Sequence, residues 1–268
     1  MDELHAKLSV LKDELRAMGS VAVAYSAGVD STFLLKVAHD ELGDKAMALT
    51  VRSDFCPPRE AAAAEAFCRA EGIRHFLVDV DVLSVPGVAD NPPERCYLCK
   101  RALFTRLGEI AAENGAAHLA EGSNMDDLGD YRPGMRAVAE LGVASPLREA
   151  GLYKAEIRQL SRELGLDTWE KPSFACLASR FVCGERLTRE KLSLVDAAEQ
   201  YLMGLGLKQL RVRVHGDMAR IEAEPAAFGL LTAPDTARAV DEKLRALGFS
   251  RVTLDLRGYR TGSMNPTP

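Results

Sequence analysis

No run of apolar residues approaches the ~18 that a membrane span requires. There is no basic excess either: 34 Lys and Arg stand against 39 Asp and Glu, a formal net charge of −5. Sequence-independent nucleic-acid binding draws on a basic footprint, so this balance argues against a nucleic-acid partner. The chain shows no internal repeat and no low-complexity block, and its composition argues against a disordered or collagenous class. Also missing are G-x-x-x-x-G-K-[ST] and G-x-G-x-x-G, so neither the ordinary P-loop nor the dinucleotide fingerprint is available. A second C-x-x-C is lacking, which leaves no zinc ribbon.

What is present suits a globular enzyme. Hydrophobic residues make up 47% and charged residues 27% of the 268, and a chain of this size buries roughly 70–75% of its unfolded surface without staples. Near the N-terminus Leu4, Leu8, Leu11, Leu15 and Met18 alternate by four and three. That spacing predicts an amphipathic helix rather than a signal peptide, and a cytoplasmic protein. Six cysteines in such a setting point to metal binding or catalysis rather than to disulfides.

Short apolar runs at 20–25, 45–51, 74–80 and 116–122 alternate with helical patterns at 33–42, 58–71 and 100–113. This rhythm predicts a doubly wound parallel α/β sheet in residues 1–170. Residues 171–185 form a cysteine-bearing connection. Residues 186–268 change to a helix, two alternating strands with Gly216-Asp217 near the turn, a second helix and a third strand, a smaller α+β domain. The tail TGSMNPTP (261–268) is expected to be loose.

Three segments carry candidate chemistry. SAGVDS (26–31) sits between a predicted strand and helix, where a small turn and a helix N-terminus favour an anion. Ser26 and Ser31 offer hydroxyls and Asp30 a ligand for Mg²⁺; the bland alternative is a turn in which Asp30 or Ser31 caps the helix. EGSNMDDLGDYRPG (121–134) follows another predicted strand, and Asp126, Asp127 and Asp130 either hold Mg²⁺ or form a solvated acidic loop. Cys96 and Cys99 form a C-x-x-C before a helix, and Cys176 lies in KPSFACLASR (171–180). Three thiols can hold a [4Fe–4S] cluster with one iron left open, or the C-x-x-C is an unligated pair. Cys68 reads as core. In the strand Arg211-Val-Arg-Val-His215, Arg211 and Arg213 share one face, either a phosphate clamp or a solvated charged face.

SAGVDS resembles the S-G-G-x-D-S loop of the PP-loop ATP pyrophosphatases, which cleave ATP to AMP and pyrophosphate. The resemblance implies an adenine nucleotide alpha hydrolase-like fold, with ATP held by Ser26, Ala27, Gly28, Val29, Asp30, Ser31 and Gly122, and Mg²⁺ by Asp30 and Asp127. Ala27 stands where the family usually has Gly, a change expected to be tolerated only if the backbone there avoids positive φ. Together with K-P-x-x-A-C-L-A-S-R and G-S-N-x-D-D-x-x-D-Y-R-P-G, the chain resembles, from about residue 5 to 260, the LarE family of ATP-dependent sulfur transferases in nickel-pincer nucleotide cofactor biosynthesis.

That resemblance implies adenylation of a carboxylate of a pyridinium dicarboxylate mononucleotide, then attack by sulfur to give a thiocarboxylate. In one variant of the family the cysteine matching Cys176 is sacrificed. In the other a [4Fe–4S] cluster delivers sulfide from an external sulfur donor, and Cys96, Cys99 and Cys176 match this pattern. The resemblance also implies that Ser179, Arg180, Arg211 and Arg213 hold the substrate phosphate, and that the protein is a homo-oligomer. Lys171 and Arg180 are expected to favour a thiolate at Cys176. A tRNA thiolase with a PP-loop and a three-cysteine cluster is the rival reading, disfavoured by the acidic net charge.

Overall fold

The computed structural model describes residues 2–129, 133–172, 176–260 and 262–264. The chain divides into two units, residues 1–85 with 94–174, and residues 86–93 with 175–268.

The first unit is a parallel sheet of four strands, β1 (Val21–Ala24), β2 (Ala46–Arg52), β3 (Arg74–Asp79) and β4 (His118–Ala120), in the order β3-β2-β1-β4. Helices α1 (Glu3–Met18), α2 (Val29–Leu42), α3 (Pro58–Glu71), α4 (Arg95–Glu113), α5 (Gly134–Glu140), α6 (Pro146–Glu149) and α7 (Lys154–Glu163) complete it. The sheet is doubly wound as the sequence rhythm predicts. Successive strand residues point to opposite faces, so Val21 and Val23 pack with Leu11, Leu15 and Phe33 of α1 and α2. Ala22, Met47 and Leu49 pack the other way, against Phe104 and Leu107 of α4 and Val138 of α5. Cys68 is buried as core, its thiol pushed up to about 12 by desolvation.

Strand order places the site. From β1 the chain steps outward to β2 and β3, then returns to lay β4 against the other side of β1. The connections after β1 and β4 therefore leave the sheet in opposite directions, and the crevice between them is where open α/β sheets bind ligands.

The second unit holds α8 (Arg189–Gly204), β5 (Leu210–His215), β6 (Met218–Ala223), α9 (Phe228–Thr232), α10 (Pro234–Leu247) and β7 (Arg251–Leu254). Strands β5 and β6 form the expected antiparallel hairpin, while β7 runs parallel to β6. Residues 86–93 go with this unit because Asn91 donates to the Val182 carbonyl at 2.8 Å and the Leu187 amide to Ala89 at 2.7 Å. The tail is not wholly loose: Ser263 donates to both Glu222 oxygens, at 2.8 and 3.0 Å. Thr261 and residues 265–268 lie outside the described residues.

Candidate functional site

The loop after β1 is closed by its own serines. The Ser31 hydroxyl lies 3.1 Å from that of Ser26, donates to the Gly28 carbonyl at 3.2 Å and accepts from the Ser26 amide at 3.3 Å. Gly28 is the N-cap of α2 without a side-chain cap, so the first amides of α2 are not capped by a side chain. Asp30 does not act as a cap. Its carboxylate takes an ion pair from Lys154 Nζ and a hydrogen bond from Asn124 Nδ2 at 3.3 Å.

Ala27 corrects the sequence expectation. Its φ is +55°, a left-handed conformation, which costs a residue with a Cβ about 1–2 kcal/mol. The strain is offset locally, because Lys171 Nζ donates to the Ala27 carbonyl at 2.9 Å and to Glu60 Oε2 at 2.7 Å. Hydrogen bonds to a charged group contribute about 1.5–3 kcal/mol, enough to hold the turn. Lys171 is thus tied to the loop, a placement that the expected role beside the Cys176 thiol did not anticipate.

The loop after β4 meets this turn. A Cβ on Gly122 would lie 3.1 Å from the Ser31 amide nitrogen and 3.3 Å from the Asp30 carbonyl carbon, so glycine here permits backbone against backbone. Glu121 is buried and accepts from Ser145 Oγ at 2.7 Å, Ser123 Oγ at 2.8 Å and the Ser123 amide at 3.1 Å. Asp127 accepts from the Asn124 amide at 3.0 Å and Asp126 from the Lys154 amide at 2.7 Å. Asp126 is exposed and Asp127 half-buried, and each accepts from a backbone amide. Asp130 lies outside the described residues. Lys154 and Asn124 were missed in the sequence. The only signal was the position of Lys154 at the start of a helix after the 121–134 segment.

Cys96 and Cys99 lie near the start of α4, three apart and so on one face. Cys99 is buried, Cys96 is half-buried, and Arg95 Nη2 donates to Cys96 Sγ at 3.4 Å. No cysteine is in a disulfide. Among the described residues no three His, Cys, Asp or Glu side chains gather as ligands of one ion.

In the second unit Cys176 is exposed just before a 3-10 turn, Leu177–Arg180. Its carbonyl accepts from the Ser179 amide at 2.9 Å and from Arg180 Nη1 at 3.1 Å. Arg180 also forks onto Glu199, with both bonds 2.9 Å, so its guanidinium engages the backbone and a carboxylate. The solvated-face alternative for β5 does not hold: Arg211 and Arg213 are 2% and 5% exposed. Arg213 donates to Glu222 at 2.9 Å and to the Ser179 carbonyl at 3.0 Å. Arg211 donates to the Leu210 carbonyl at 2.7 Å and covers the Tyr259 ring. Burial first, then Arg180, push the Arg211 guanidinium below its ordinary range. Three buried guanidiniums among two buried carboxylates, Glu199 and Glu222, favour an added anion.

A doubly wound parallel sheet with a Ser-Ala-Gly-Val-Asp-Ser turn at its switch point defines an α/β protein of the PP-loop ATP pyrophosphatase class. No family model matches the chain. It is 39% identical over 269 residues to the pyridinium-3,5-bisthiocarboxylic acid mononucleotide synthase of Lactiplantibacillus plantarum, covering 100% of this chain and 96% of that one. An uncharacterized protein of Synechocystis sp. is 42% identical over 262 residues, 98% of each chain. More distantly, one subunit of the glutamine-hydrolyzing GMP synthase of Pyrococcus furiosus is 30% identical over 270 residues, 87% of this chain and 84% of that one. The chain belongs to the LarE family, the family of the Lactiplantibacillus synthase.

Proposed function

We propose that this protein is an ATP-dependent sulfur transferase that converts a carboxylate of a pyridinium dicarboxylate mononucleotide into a thiocarboxylate. The observation that carries the reading is the turn at the switch point, Ser26–Ser31 closed against Gly122, in a chain similar over its whole given length to a member of this family. The substrate carboxylate oxygen attacks the α-phosphorus of ATP. The bond from that phosphorus to the bridging oxygen breaks, and pyrophosphate leaves. The product is an acyl-adenylate, and a sulfur nucleophile then displaces AMP from its carbonyl carbon.

Each group has a place in this scheme. The turn Ser26, Ala27, Gly28, Val29, Asp30 and Ser31 cradles the phosphates with Gly122, and Asp30 and Asp127 supply the hard oxygen donors that Mg²⁺ prefers. Arg180, Arg211 and Arg213, with Ser179, take the substrate phosphate bidentately. The cysteines offer a donor set of three thiols, none in a disulfide, with Cys96 and Cys99 on one helix turn and Cys176 in the other unit. Cys96, Cys99 and Cys176 would be the ligands of a [4Fe–4S] cluster, which when bound would supply a sulfide for the transfer, reloaded from an external sulfur donor. The cytoplasm, where thiols stay reduced, and a homo-oligomeric assembly complete the reading.

Two measurements test it. Protein reconstituted without oxygen is expected to hold about four iron and four acid-labile sulfide per chain, lost in Cys96→Ala. Little iron in either protein would instead make the Cys176 sulfur itself the donor, leaving dehydroalanine after one turnover. Gly122→Ala is expected to weaken MgATP binding about tenfold or more with an unchanged circular dichroism spectrum, since the added carbon meets backbone at 3.1 Å. Unaltered affinity would remove the 26–31 turn from the nucleotide site.

A further inference from the structure

Lys171 takes no part in the chemistry above, yet it touches the turn at its one strained residue. Ala27 is buried with φ +55°. Left to itself an alanine there favours negative φ, which would swing its carbonyl and the Gly28 amide away from their present directions. The Ala27 carbonyl is fixed by Lys171 Nζ at 2.9 Å, and Glu60 Oε2, 2.7 Å away, fixes the ammonium in turn. The backbone of Lys171 is held as firmly. Its amide donates to the Thr168 carbonyl at 2.9 Å, its carbonyl accepts from Arg158 Nη2 at 2.9 Å, and Arg158 Nη1 donates to the Trp169 carbonyl. The lysine is a rigid post between α3, α7 and the turn, rather than a surface side chain that happens to reach it.

We propose that Lys171 is a positioning residue for nucleotide binding: its ammonium holds Ala27 in the left-handed conformation and thereby aims the amides of the turn. The inference rests on reading residues 26–31 as the nucleotide loop. It also explains how an alanine is accommodated at a position whose backbone favours glycine: the lysine supplies from outside the turn what glycine supplies by having no side chain.

The test is a double-mutant cycle between Lys171→Met and Ala27→Gly, with Lys171→Arg as the conservative variant, read by calorimetric titration of MgATP and by urea unfolding. In the natural background Lys171→Met is expected to weaken MgATP binding about tenfold, and Lys171→Arg to recover part of the loss. With Ala27→Gly already present, Lys171→Met is expected to cost less than about threefold, because glycine reaches that φ unaided. The urea midpoints are expected to show the same coupling without any nucleotide. Equal effects of Lys171→Met in both backgrounds, in titration and in urea, would overturn the proposal. Should no variant bind MgATP while the urea coupling persists, the nucleotide reading fails and Lys171 keeps only its hold on Ala27.

Discussion

Cys176→Ala is expected to reduce thiocarboxylate formation below detection while substrate-dependent pyrophosphate release stays within a few-fold of the natural protein. The groups proposed to hold ATP for adenylation, the 26–31 turn and Gly122, belong to the first unit, whereas Cys176 belongs to the second. What the second unit contributes at this point through the backbone survives the change, because the Ser179 amide and Arg180 Nη1 bind the carbonyl of residue 176, which alanine keeps. The position is exposed, so the substitution should move stability by no more than about 0.5 kcal/mol. An acyl-adenylate formed without a sulfur nucleophile is hydrolysed by water, which keeps pyrophosphate flowing. The measurement is pyrophosphate by a coupled assay alongside product mass on the same sample. Parallel loss of both would mean that Cys176 acts before sulfur transfer, and the separation of roles would fall.

Much of this arrangement was legible in the sequence because it rests on period and punctuation. Alternation of apolar runs with helical patterns gave the parallel sheet, and a small-residue turn between strand and helix marked the candidate site, since both follow from local chemistry. The register of the cysteine pair on α4 was equally local. What could not be read was everything set by strand order. Gly122 and Ser31 meet only because β4 pairs with β1, and Lys154 reaches Asp30 across 124 positions of chain. Periodicity along β5 said that Arg211 and Arg213 share a face, but not which face is buried. Glu199 and Glu222, the carboxylates among which those arginines lie, come from α8 and β6. That an alanine tolerates positive φ at position 27 was not legible, because residue preference was weighed without its partner Lys171, a contact separated by 144 positions.

Glu199→Gln is expected to destabilise the second unit by about 3–5 kcal/mol, the usual effect of breaking a buried ion pair from one side. The side chains of Arg180 and Glu199 are 1% and 2% exposed and joined by two bonds of 2.9 Å, and Glu199 Oε1 also accepts from the Val212 amide at 3.0 Å. A neutral amide keeps the volume but leaves the Arg180 charge in the low dielectric with its principal counter-charge gone, and Arg211 and Arg213 nearby sharpen the repulsion. For a chain of this length such a loss corresponds to a fall in Tm on the order of 10 °C. Arg180→Met alone is expected to be comparably unstable, whereas Arg180→Met with Glu199→Leu removes both charges and is expected to recover most of the deficit. The recovered double variant is then the informative protein. If these guanidiniums are present to bind the substrate phosphate, it will be folded and stable yet bind the mononucleotide poorly. A double variant that is stable and binds normally would make the Arg180–Glu199 pair purely structural and leave Arg211 and Arg213 as the phosphate clamp.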